Sequence, residues 1–159
     1  MFGDPEFKVL NQIFTFVEVP EEMQLNSTLC GYFNKIISFW MIKKPEQMIE
    51  YFTNNPSSVN NLLEHIYLNS SIIDLVIRIC CIQNLPSDSK DKLHTIRCDF
   101  LSGIINKLEH YEDDTFMTEQ IFGILTGLLK KCYIMSDPKE FFEEMLSPFV
   151  LKPILDYTF

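Results

Sequence analysis

The sequence contains no alanine, and only five glycines and three histidines among its 159 residues. The glycines are scattered, so no Gly-rich loop is available to cradle a phosphate. His65, His94 and His110 sit in no H-E-x-x-H or similar motif, which removes the helical zinc-protease signature. Cations are also scarce: 13 Lys and Arg stand against 22 Asp and Glu, a formal charge of −9. Phosphate binding rests on clustered Lys and Arg, so neither nucleic acid nor an anionic membrane is an expected partner. Basic partners, or partners of no obvious charge, remain. No apolar run approaches the roughly 20 residues of a membrane span, and Met1 is not followed by a basic and then an apolar leader segment. The expected location is the cytoplasm, with the nucleus as a second compartment.

What is present is apolar bulk. Hydrophobic residues make up 47% of the chain, including 14 Phe, and the mean hydropathy is +0.04. That is too much for a disordered chain and enough for one solid core. Cys30, Cys80, Cys81, Cys98 and Cys132 are odd in number, form no C-x-x-C and lie in apolar stretches. They read as reduced, buried thiols serving as small hydrophobes. Alanine is the best helix former. Its absence beside 18 Ile and 10 Asn points to AT-rich coding bias rather than to a structural demand.

Apolar residues recur at steps of three and four almost throughout, and alternation of period two is nowhere sustained. Helices are expected over 5–17, 25–42, from Pro45 to the break at Asn54-Asn55-Pro56, 57–67, 70–83, 90–108, 115–134, 140–146 and 148–157. The 90–108 stretch is expected in two pieces, broken near Cys98-Asp99. Pairs of helices return about every 40 residues, near the period of HEAT and armadillo repeats. The expected fold is all-α, an α-solenoid of HEAT/armadillo-like helical repeats with about nine helices, forming a single segment over 1–159. The 70–83 helix has almost no polar face and must be covered on nearly all sides. Its two charges, Asp74 and Arg78, are four residues apart on one stripe, in the acid-before-base order that helices favour. If partly desolvated, the pair would matter more than a surface ion pair. Gly123 and Gly127 share a face that would admit a neighbouring helix closely.

Other polar groupings have ordinary explanations. Asn26-Ser27-Thr28 and Asn69-Ser70-Ser71 match a glycosylation acceptor pattern but read as helix caps. Glu109, Glu112, Asp113 and Asp114 lack the order of a calcium loop and place negative charge at the next helix's N-terminus; Asp137, Glu140, Glu143 and Glu144 read the same way. His94 and Cys98 are four apart, and two ligands do not make a metal site. A third ligand would be needed for the rival reading, a small helical metalloenzyme.

The stretch Leu25-Asn26-Ser27-Thr28-Leu29-Cys30-Gly31-Tyr32-Phe33-Asn34-Lys35 resembles an L-N-x-x-L-x-x-F-F-x-K segment of the SAPS-domain family, the regulatory subunits of protein phosphatase 6 type enzymes. Lys44-Pro45-Glu46-Gln47, followed by Met48 and Tyr51-Phe52, is similar to the family's next block. His65-Ile66 leading to Ile73-Asp74-Leu75-Val76-Ile77-Arg78-Ile79 is similar to a third, an H-I-G-T-S segment running into M-D-L-L-L-R-L. The stretch 4–16 looks like the family's D-E-x-L-L-x-x-L-W-x-F. Tyr67-Leu68-Asn69 departs from the Gly-Thr start of the third block, with one residue added. The resemblance implies part of a longer SAPS domain: a non-catalytic scaffold that binds the catalytic subunit of a type 2A-like Ser/Thr phosphatase and directs its activity, needing no cofactor of its own. The matching positions are Phe33, expected in the core, and Lys35, Lys44, Glu46, Gln47, His65, Asp74 and Arg78 as candidate partner contacts. A HEAT- or armadillo-like adaptor for another complex is the alternative.

Overall fold

A computed structural model of the chain describes residues 5–20, 22–67, 69–111 and 113–158. Asp4, Leu68 and Glu112, which entered the sequence reading, lie outside them. The described residues form nine α-helices and no strand: α1 Pro5–Phe14, continued by a 3-10 turn Thr15–Val17, α2 Ser27–Lys43, α3 Pro45–Asn54, α4 Ser57–Glu64, α5 Ser70–Cys80, α6 Ser87–His110, α7 Thr115–Tyr133, α8 Lys139–Met145 and α9 Pro148–Thr158.

The boundaries have local causes. Asn26 accepts from the backbone N–H of Thr28 and Leu29 and starts α2, and Asn69 accepts from Ser71 N–H and starts α5, so both acceptor-like triplets are caps. Pro45 occupies the first turn of α3, where its missing N–H costs nothing. Asp114 accepts from Met117 N–H and caps α7. α4 and α5 each end three residues before the expected 67 and 83, and α6 begins three residues before the expected 90 and runs unbroken for 24 residues through Cys98-Asp99, where a break was expected. No Pro or Gly stands there, and Leu93, Ile96, Arg97, Phe100, Leu101, Ile104, Ile105 and Leu108 keep one buried stripe in phase across the junction.

Two rows of helices result. In one, α2 packs on α5 and α5 on α7; in the other, α3 packs on α6 and α6 on α9, with the short α4 and α8 also laid against α6. Helices thus meet partners two or three positions along the chain, a stacking compatible with the expected solenoid. The core is continuous between the rows. Phe14, at the end of α1, lies 5.4 Å from Phe33, 4.8 Å from Tyr51 and 5.6 Å from Phe52, ring centre to ring centre. Phe52 passes the contact on to Phe100 in α6. As expected, Phe33 is core. Of the described glycines, Gly103 allows the closest approach, since a Cβ there would collide with Leu63 Cδ1 of α4. A Cβ at Gly127 would lie 2.9 Å from Ile77 Cδ1 of α5, whereas Gly123 faces open space, so only one of the expected pair serves helix packing. Among the described residues no helix is long and apolar enough to cross a membrane.

Candidate partner-binding site

The Asn69 cap sets the phase of α5. Ile72, Leu75, Val76, Ile79 and Cys80 point inward, and Asp74 and Arg78 fall one turn apart on the outer side. Arg78 Nε donates to Asp74 Oδ2 at 2.7 Å. The same oxygen accepts from Asn34 Nδ2 of α2 at 2.9 Å, and Asn34 Nδ2 also reaches the Ser71 carbonyl at 2.9 Å. Ser38 Oγ in turn donates to Asn34 Oδ1 at 2.8 Å. The pair is therefore a link between two helices rather than a purely intrahelical contact. Arg78 and Asp74 remain 49% and 48% exposed in their side chains, so the pair is not desolvated as the apolar helix suggested. Its worth is that of a hydrated pair, about 0.3–0.5 kcal/mol. Burial alone would raise the Asp74 pKa, but the Asn34 amide, the Arg78 guanidinium and the charge of Lys131 outweigh it and hold the carboxyl below its ordinary value. The stability this contributes is present above the ordinary carboxylate pKa and is lost as pH falls through the depressed one.

The other candidate residues divide by position. Lys35 is exposed on α2 with its ammonium 5.9 Å from the centre of the Tyr32 ring. Lys44 is exposed at the corner where α2 ends and α3 begins, its N–H donating to the Trp40 carbonyl, and Glu46 is exposed in the first turn of α3. Gln47 is half-buried, and its Oε1 is sealed from solvent without a hydrogen-bond partner. His65 is 3% exposed, its Nε2 2.9 Å from the Val19 carbonyl oxygen, which places it inside the fold, tying the segment after the 3-10 turn to the end of α4. The structure thus joins Asp74 and Arg78 to Asn34, Ser38 and Lys131, three residues the sequence reading did not select. Arg78 and Lys131 also line a cleft with Ser38 and Ile42 of α2 and with Gln83 and Asn84 beyond α5. Asn84 has a positive φ of 60°, a left-handed turn that Asn tolerates.

A second polar cluster lies on the other row. His94 Nδ1 is 2.6 Å from Glu144 Oε1, and Arg97 Nη1 is 3.6 Å from the same oxygen. Arg97 Nε donates to the Cys80 carbonyl at 2.7 Å, and its guanidinium lies 4.5 Å from the centre of the Phe141 ring. The Arg97 and Glu144 side chains are each only 6% exposed. Glu144 is therefore not part of a solvated acidic face; it is the buried anchor that holds α8 on α6. Burial raises its pKa, and His94 and Arg97 offset this only in part. Cys98 Sγ lies 3.8 Å from His94 Nε2, and ligand atoms of His94, Glu140 and Glu144 lie within 4.8 Å of one another, a group that does not include Cys98. Burial raises the pKa of all five thiols, that of Cys81 to about 12, so none is poised as a thiolate nucleophile near neutral pH.

The family model described as SAPS, SIT4 phosphatase-associated protein, matches residues 37–159. The match takes in the Lys44 and His65–Arg78 blocks and begins after the 25–35 block. Relatives include serine/threonine-protein phosphatase 6 regulatory subunit 3-A of Xenopus laevis, 25% identical over 112 residues, and regulatory subunit 3 of Gallus gallus, 24% identical over 109. Those stretches cover 70% and 69% of this chain but 13% and 12% of the relatives, so the chain spans a small part of their length. No solved structure matches the chain. With three-quarters of its length under one family model, and with the residues of two family blocks placed on α3 and α5, the chain belongs to the SAPS family.

Proposed function

We propose that this chain is a non-catalytic regulatory and scaffold segment of a SAPS domain that binds the catalytic subunit of a type 2A-like Ser/Thr phosphatase, of the protein phosphatase 6 type, and directs its activity. The observation that carries this reading is the family match over 37–159. The names of the relatives, regulatory subunits of phosphatase 6, support the partner. On this reading the metal and phosphate chemistry belongs to the partner and the chain itself is no enzyme. Lys35, Lys44, Glu46, Asp74 and Arg78 are exposed or half-exposed and offer contacts, with Gln47 at their edge; His65 contributes only through the backbone it holds. Five free cysteines support a reducing compartment, cytoplasm or nucleus.

The test separates binding from folding. Asp74→Ala and Arg78→Ala should each change stability by less than about 1 kcal/mol, because the pair is half-exposed. Arg78→Ala should weaken retention of the purified catalytic subunit on the immobilised chain by several-fold, and Asp74→Ala, which acts through the Arg78 guanidinium it positions, should weaken it less. A melting temperature lowered by many degrees with unchanged retention would make the pair structural only. Failure of the folded wild-type chain to retain the subunit would overturn the function.

A further inference from the structure

Charge is unevenly spread over the helices. α2, α5 and α7 carry Lys35, Lys43, Arg78, Lys130 and Lys131 against only Asp74 and Glu119. By the same count α1, α6 and α9 are neutral and α3, α4 and α8 are acidic, in a chain whose total is −9. The two helices of net positive charge, α2 and α7, flank α5, whose Asp74 and Arg78 cancel, in one row. Asn34 ties α2 to α5, Ile77 packs on Gly127 of α7, and Ile42, Arg78 and Lys131 border one cleft, so two of these cations meet beside the exposed end of α2, where Lys43 follows Ile42.

That face is also apolar. α2 buries Cys30, Phe33, Ile37 and Met41, and on its opposite side leaves Tyr32 58%, Phe39 61% and Ile42 74% exposed. Those three follow the helical step and form a second apolar stripe, which a helix facing only water has no reason to carry. The ammonium groups of Lys35 and Lys43 each lie 5.9 Å from the ring centre of Tyr32 and Phe39, respectively. Aromatic anchors rimmed by basic side chains are the composition of a protein-binding surface. In a chain whose total charge is −9, cations gathered here draw an acidic partner toward this side, so the charge distribution orients its approach as well as its contacts.

We infer that the outward face of the α2–α5–α7 row docks a carboxylate-rich patch of the phosphatase catalytic subunit, with Tyr32, Phe39 and Ile42 as apolar anchors and Lys43, Arg78 and Lys131 meeting the carboxylates. The partner's identity rests on the function proposed above; the chemistry of the face does not. The net charge of the chain left basic partners or partners of no obvious charge; an acidic patch fits only because cations are gathered locally on this face.

The experiment titrates the chain against purified catalytic subunit at about 50 and about 200 mM salt, where screening of exposed charges differs. Lys43→Glu/Lys131→Glu and, separately, Tyr32→Ser/Phe39→Ser should each weaken binding by about tenfold or more, and the charge-reversed pair should lose most of the salt dependence. Asp91→Lys, on exposed α6 surface, should bind within about twofold of wild type. All four changed side chains are on solvent-facing positions, and an unaltered helical melting curve confirms each variant's fold. Wild-type binding that survives both double substitutions overturns the face alone. No binding by the folded wild type overturns the functional reading. A single-stranded oligonucleotide or an anionic vesicle that occupies this face in preference to the catalytic subunit also overturns the inference.

Discussion

Phe14→Ala is expected to lower the unfolding free energy by about 3–5 kcal/mol, the range for emptying a buried aromatic site. Phe14 is 1% exposed and touches Phe33 of α2 and Tyr51 and Phe52 of α3. Truncation therefore removes edge-on contacts with two helices and leaves a void that these bulky rings cannot all close. With Leu10 and Val17, Phe14 forms a buried strip that joins the N-terminal segment to the core, flanked by the partly buried Phe7, Ile13 and Phe16. For a domain of this size each kcal/mol moves the melting temperature by about 2–4 °C, so a fall of at least about 6 °C should be seen by circular dichroism. Phe14→Leu should cost distinctly less. A shift under about 2 °C for the alanine variant would mean that α1 is not part of the cooperative core.

Arg97→Met should be comparably severe, for an electrostatic reason. Removing the guanidinium leaves the 6%-exposed Glu144 carboxylate facing only His94 and deprives the Cys80 carbonyl of its donor. Stranding one member of a buried pair costs about 3–5 kcal/mol. Arg97→Met/Glu144→Leu should recover most of that, because two apolar side chains replace two charges between α6 and α8. The pH dependence distinguishes this from a packing defect. Burial already raises the Glu144 pKa, and loss of Arg97 raises it further. A carboxyl with a raised folded-state pKa contributes stability below its unfolded value and loses it as pH rises through the folded one. The deficit of Arg97→Met should accordingly be larger at pH 8 than at pH 5 in urea melts, and flat for the double variant. A deficit independent of pH, or no recovery in the double variant, would contradict the anchoring role.

These two sites show what periodicity can and cannot convey. Asn26, Pro45, Asn69 and Asp114 announce their helices because capping is local chemistry: each side chain or ring acts on backbone within three residues of itself. Arg97 announces nothing, since a charged residue between Ile96 and Cys98 reads as surface until α8 brings Phe141 and Glu144 over it. The same misplaced polarity made 98–99 look like a break in α6. Glycines misled in the same way: Gly123 and Gly127 share a face by spacing, but the tightest packing is at Gly103, which depends on where α4 happens to lie.

The candidate site was half legible. Asp74 and Arg78 stand out as the only charges on an apolar helix, and their spacing gave the ion pair. Asn34 and Lys131 come from helices about 40 and 53 residues away from them in sequence, and only packing brings them near. On α2 the sequence shows apolar residues on two sides without saying which side faces inward. Cys30, Phe33, Ile37 and Met41 turn to the core, and Tyr32, Phe39 and Ile42 face solvent. A net charge of −9 likewise does not show that Arg78 and Lys131 come together on one cleft: composition adds over the surface, and local charge does not.

The most direct measurement mixes the purified, folded chain with purified phosphatase 6 type catalytic subunit at about 10 μM each, well above a micromolar dissociation constant, and weighs the products by light scattering after gel filtration. A single species with the summed mass of one copy of each is the result expected of a SAPS regulatory segment, and Lys43→Glu/Lys131→Glu should dissolve it into its components. Two separate peaks for the wild-type chain, with its helical content intact, would contradict the account.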